Sequence, residues 1–148
     1  LFPYTTLFRS KNNEEFYKFA KCIVLTMLSA LIIFIFFQTS VSRPIIVGDD
    51  MFSNMIRNIY ANDRPVNCCP SLHVALALIC SIWVCRVSEN RILKSTVIVV
   101  GYLIILSTLF IKQHVIMDVI VAFIQVFVLR NIVDRNPHVE YEETVEIR

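Results

Sequence analysis

Four apolar runs, at residues 22–37, 74–87, 97–111 and 115–133, restrict the fold of this chain more than any other feature. The first holds nothing more polar than Thr26 and Ser29, and the second is broken only by Ser81 and Arg86. Crossing roughly 30 Å of hydrocarbon takes about 20 helical residues, so runs one, three and four suffice with their flanks and the second is marginal. The competing arrangement is four buried helices of a soluble bundle. Such helices carry a polar stripe that these runs lack. With 56% hydrophobic residues and two glycines in 148, the chain is also more apolar than a soluble domain of its length requires. The expectation is an all-α integral membrane bundle with about four transmembrane helices.

Charge placement gives the orientation. If the N-terminal side is cytoplasmic, Lys11, Lys18, Lys21, Arg86, Arg91, Lys94, Arg130, Arg135 and Arg148 fall inside, whereas Arg43, Arg57, Arg64 and Lys112 fall outside. That asymmetry follows the positive-inside rule. No basic stripe interleaved with aromatics is present, which argues against a nucleic-acid partner. The five cysteines lack the paired spacings of a metal site, so no metal is expected. Cys22, Cys80 and Cys85 read as small core residues.

Residues 1–10 resemble the translation of a sequencing-adapter read and are expected to be non-native. Residues 11–133 then form the membrane domain, the C-terminal fragment of a larger bundle, and 134–148 an exposed cytoplasmic tail. The first helix is expected over about 16–37. In the long outer loop, Met51, Phe52, Met55, Ile56 and Ile59 recur at helical spacing after Asp49 and Asp50, which predicts a short amphipathic helix over 51–60. Asn62-Asp63-Arg64-Pro65 reads as a turn. Pro70 suits the start of the second membrane helix.

An out, in, out, in path gathers Arg43, Arg64, Ser71, His73, Ser107, Lys112, His114 and Asp118 at one outer edge. His114 and Asp118 are four apart at the start of the last helix, which predicts a shared face. A carboxylate accepting from one imidazole nitrogen frees the other for nucleophilic attack. The plain alternative is a polar pair joining helices. Yet a carboxylate in a membrane helix costs about 2.5–3.5 kcal/mol at the centre, which makes it a functional candidate. Ser71, Leu72 and His73 open a helix whose free N–H groups suit a phosphate, and His73 would protonate a leaving alkoxide. A simple helix cap is the alternative there. Arg43 and Lys112 would neutralise phosphoryl oxygens, unless they are snorkelling interfacial anchors, the role favoured for Arg57.

These residues resemble the type 2 phosphatidic acid phosphatase superfamily, which also includes vanadium haloperoxidases and inositol phosphorylceramide synthases. Its motifs are Lys-x6-Arg-Pro, Pro-Ser-Gly-His and Ser-Arg-x5-His-x3-Asp. The chain carries Arg43-Pro44, Pro70-Ser71-Leu72-His73, and Ser107-Thr108 followed by His114 and Asp118 at the family distances. The resemblance implies His114 as nucleophile, Asp118 as its orienting partner and His73 as general acid. It also implies phosphate contacts from Arg43, Ser71, Leu72, Ser107 and Lys112. Phe36 stands where the first motif has lysine, Leu72 where the second has glycine, and Thr108 where the third has arginine; Lys112 would replace that arginine. The Pro-Ser-Leu-His and Lys-Gln-His forms look like the inositol phosphorylceramide synthase branch. The implied activity is hydrolysis of a lipid or isoprenoid phosphate ester through a phosphohistidine, with no cofactor. The implied location is the outer face of a bacterial inner membrane. Two alternatives stay open: a lipid phosphotransferase of the same fold, and a non-catalytic membrane protein with a degenerate site. No protein partner is indicated.

Overall fold

A computed structural model describes residues 13–135. Five helices follow in order: α1 (Asn13–Phe36), α2 (Met51–Asn62), α3 (Leu72–Val87), α4 (Arg91–Phe110) and α5 (Ile116–Arg135). Among the described residues there is no strand, only an isolated bridge between Ser40 and Val66 in the α1–α2–α3 connections. The architecture is a helical membrane bundle. α1, α4 and α5 are long and apolar enough to cross a bilayer, while α3, at 16 residues, is shorter. It rises only about 24 Å. The expected count of four spanning helices thus becomes three plus this short one.

α3 can be short because it is the central helix, packed against α1, α4 and α5. Its Val74, Ala75, Ile79 and Trp83 are fully buried, and Phe19 of α1 lies 6.1 Å from Trp83 between ring centroids. The helices around it are apolar on the outside instead. Phe36 is 74% exposed and Phe110 80%, with Leu31, Ile35, Leu103, Ile124 and Phe127 also exposed. A water-soluble monomer does not present so continuous an apolar surface; a lipid solvent removes the penalty.

Polar side chains inside the bundle join helices. Gln125 of α5 donates to the Thr26 carbonyl (3.1 Å) and to Ser29 Oγ (2.8 Å) of α1. Ser81 of α3 donates to the Val97 carbonyl of α4 at 3.2 Å. At the end where α4 begins, Arg86 pairs with Glu15 at 3.0 Å and with Asp134 at 2.8 Å, tying α1, α3 and α5 together. α5 runs on to Arg135, so the start of the expected tail belongs to the helix. The rest of that tail, and the segment 1–10 expected to be non-native, lie outside the described residues.

α2 forms as its spacing predicts and extends to Asn62. Asp50 caps it, accepting from the Phe52 and Ser53 N–H groups at 2.9 and 3.1 Å. Arg57, expected as an interfacial anchor, has its hydrogen-bond partners within the same outer loop and α2. Its guanidinium closes the preceding loop onto the Ile46 and Gly48 carbonyls, Asp49 and Asn54.

Candidate functional site

Two chain segments make the site at the end of the bundle opposite the Arg86 cluster. In the first, Ser71 is the N-cap of α3 and its Oγ accepts from the Val74 N–H at 3.4 Å. That leaves Leu72 and His73 as the first two helical residues. The second is the reversal between α4 and α5. Lys112 turns the chain with a positive φ of 55°, and the Gln113 and His114 N–H groups both donate to the Thr108 carbonyl, at 3.0 and 3.1 Å. The Ser71 N–H donates to the Asp118 carbonyl at 3.2 Å, stitching the two segments together through the backbone.

His114 lies in that reversal, two residues before α5 begins at Ile116, and not on the helix as its spacing predicts. The reason is local. Asp118 Oδ2 accepts from the Val115 N–H at 2.9 Å, as the acidic member of a capping box does, so the helix starts after His114. The same oxygen is 3.4 Å from His114 Nδ1, yet that nitrogen has no hydrogen-bond partner. The attraction is therefore electrostatic rather than a formed hydrogen bond. Both residues are buried, His114 at 8% and Asp118 at 4% exposure. The first turn of α5 also favours a negative charge at Asp118.

The imidazoles of His73 and His114 converge. His73 Nδ1 is 3.4 Å from His114 Nε2, and the ring centroids are 5.7 Å apart at 60°. His73 stands on the exposed side of the pair and His114 on the buried side. Burial pushes the His114 imidazole below its usual range, with the nearby His73 adding to the effect and the Asp118 carboxylate opposing it. His114 is thus neutral near pH 7. Burial, and then the Asp118 carboxylate, push the neighbouring Cys68 and Cys69 thiols up, so neither supplies a competing thiolate.

The expected phosphate ligands are distributed less simply. Ser71 is fully buried, its oxygen engaged in the cap. Leu72 is half-buried beside it. Ser107 is exposed on α4 and donates to the Ile104 carbonyl of its own helix at 2.8 Å. Thr108, one residue on, is the buried member that carries the reversal. Lys112 is exposed at the rim. The Arg43 side chain is only 8% exposed, and it is turned onto Asp63. One guanidinium nitrogen donates to the Asp63 carbonyl and the other to Oδ2 at 3.0 Å, while the group stacks 4.6 Å above the Tyr60 ring.

Asp63 is the residue that sequence reasoning missed. Its Oδ2 also accepts from Gln113 Nε2 at 3.0 Å, and Tyr60 OH donates to the Ile111 carbonyl at 2.6 Å. Together they latch the end of α2 and the Arg43 loop onto the reversal next to His114. The only signal in the sequence was the turn Asn62-Asp63-Arg64-Pro65, which carries no hint of a partner 50 residues away.

An apolar-surfaced bundle that keeps two imidazoles and a carboxylate at one end defines an integral membrane protein that handles a polar group at the edge of the lipid. A family model described as the PAP2 superfamily matches residues 1–130. The chain belongs to the PAP2 superfamily, and with membership comes a phosphatase-like function toward lipid phosphates in general. No curated protein and no solved structure matches the chain.

Proposed function

We propose that the chain is a membrane enzyme that cleaves a lipid phosphate monoester through a phosphohistidine on His114. The observation that carries this is the 3.4 Å approach of His73 Nδ1 to His114 Nε2, beside the buried Asp118 carboxylate. With its proton on Nδ1, toward Asp118, His114 has its lone pair on Nε2, which faces His73 Nδ1, so an entering phosphate parts the two rings before Nε2 reaches phosphorus. Nε2 attacks phosphorus and the ester P–O bond breaks. Protonated His73 gives its proton to the departing alkoxide. Water then attacks the phosphohistidine, losing a proton to His73 and returning His114 Nε2 with its lone pair.

The charge on the transferring oxygens is met by the free N–H groups of the first turn of α3 and by Lys112 at the rim. Arg43 joins them when an incoming phosphate competes with Asp63 for its guanidinium. The site faces the side of the membrane opposite Lys18, Arg86 and Arg130, the outer face by the positive-inside rule. Water is the acceptor in this reading, reaching the site along the exposed side of His73.

The test is His114→Ala in the full-length protein, reconstituted in lipid and given a lipid phosphate labelled with radioactive phosphorus. Wild type should release phosphate and yield an acid-labile, alkali-stable phosphoenzyme; the variant should do neither. Turnover by the variant at more than about a hundredth of the wild-type rate would refute the nucleophile assignment, because removing a covalent nucleophile costs far more than that.

A further inference from the structure

A groove of about 550 Å³ runs from His73 down between α3, α4 and the start of α1. His73 forms its mouth. Ala77 and Cys80 of α3 face Val97, Gly101 and Ile104 of α4 along its walls, and Phe16 and Phe19 of α1 lie at the far end. From His73 to Val84 it follows α3 for about 16 Å at 1.5 Å per residue. That is close to half of the roughly 30 Å hydrocarbon thickness of a bilayer. The wall offers little to a polar occupant. The Ser81 hydroxyl that borders it is already given to the Ala77 and Val97 carbonyls, at 2.8 and 3.2 Å.

We infer that this groove takes the hydrocarbon tail of the phosphate ester, and that Phe16 and Phe19 set the longest tail accepted at about one leaflet. The inference rests on the phosphohistidine reading for the position of the phosphate and deepens it by naming the substrate class. The occupant is a single-chain alkyl or short isoprenoid phosphate. A polyisoprenoid longer than a leaflet is excluded by the aromatic floor. Continuity with His73, whose Nδ1 is 3.4 Å from His114 Nε2, decides this occupant over a bulk lipid. An ester whose phosphorus sits at His114 must leave the site past His73, and the groove begins there.

Two measurements on the full-length protein in unbrominated lipid nanodiscs test it. The first uses non-hydrolysable alkylphosphonates brominated either at the chain end or beside the head group. Trp83 is the chain's one tryptophan, and it packs on Phe19 at the groove floor. Chain-end bromine should quench its fluorescence, head-group bromine should not, and excess unbrominated phosphonate should restore the signal. Equal quenching by both isomers, or quenching without competition, would overturn the groove assignment.

The second compares kcat/KM for alkyl phosphates of increasing length in wild type, Ala77→Phe and Phe19→Ala. Ala77→Phe should lower the ratio of leaflet-length to short-chain turnover at least tenfold, the order of an overpacking cost. Phe19→Ala should move the length limit upward. Unchanged length profiles in both variants would overturn it. The quenching pattern needs no turnover, so the two levels separate. Chain-end quenching without a phosphoenzyme supports the groove and sinks the phosphohistidine, whereas a phosphoenzyme without such quenching does the reverse.

Discussion

Gly101→Ala examines a close approach of α3 and α4, which line the groove. A Cβ at position 101 would come 2.7 Å from Ser81 Oγ, which real contacts do not tolerate. The hydroxyl must rotate away, and with it goes the hydrogen bond to the Val97 carbonyl that joins the two helices. The bond is worth about 0.6 kcal/mol on average between membrane helices and up to about 1.7. Forcing the side chain off its rotamer adds about 1 kcal/mol. Against these, alanine gains about 1 kcal/mol over glycine in a helix interior. Gly101→Ala should therefore destabilise the protein by about 0.5–2 kcal/mol.

With Ser81 first replaced by alanine the conflict disappears, because the new Cβ meets the Cβ of residue 81 at an ordinary 4.0 Å. Only the propensity gain of about 1 kcal/mol remains. The double-mutant cycle should show a coupling of about 1.5–3 kcal/mol, read from reversible unfolding of the four proteins in the same detergent. Single-mutant effects that sum to the double within about 0.5 kcal/mol would refute the close approach, and with it the shape of the groove wall.

On the phosphohistidine reading, acid should switch turnover off only below the ordinary imidazole value of about 6.5, because burial favours neutral His114 and a protonated His114 could not attack. In a pH profile of kcat/KM, Asp118→Asn should push that acid limb lower still, since the carboxylate is what raises the His114 value. An acid limb above pH 6.5 in wild type contradicts this. Asp63→Ala removes the acceptor of Arg43 and Gln113 and strands a buried guanidinium whose Nε is already without a partner. A loss of about 1–3 kcal/mol should appear as a lower thermal midpoint in detergent, and an unchanged midpoint would dissolve the latch.

Hydrophobic pattern made α1, α4 and α5 legible, because a lipid-facing helix needs an unbroken apolar run and a run can be counted. Met51 to Ile59 was legible for the same reason on one face only, with Asp50 marking its start. The meeting of His73 and His114 was legible from topology. Motif residues at alternate ends of antiparallel spans must share an end of the bundle, whatever the packing between them. What pattern cannot carry is a change of direction. Lys112 at positive φ and the Asp118 cap on Val115 move His114 out of the helix, and neither leaves a trace in hydropathy. Ser107 and Thr108 show the same limit. Adjacent residues on a helix sit about 100° apart, so only one can turn inward, and the buried one is Thr108.

Arg43 carries the consequence for mechanism. The motif places a guanidinium near the phosphate, but which group it holds in the absence of substrate depends on Asp63, a partner 20 residues on in a loop without periodicity. A buried arginine satisfied by a carboxylate is not pre-formed for an anion; it must be won from one. On the proposed reading, each phosphate that enters would compete with Asp63, and success would loosen the same carboxylate that Gln113 uses beside His114. Substrate binding and the position of the His114 loop would then be linked through one oxygen, Asp63 Oδ2. With Phe36 where the first motif has lysine, no second cation from that motif would relieve the competition, so exchange at Asp63 would bear on affinity more directly here than a motif count implies.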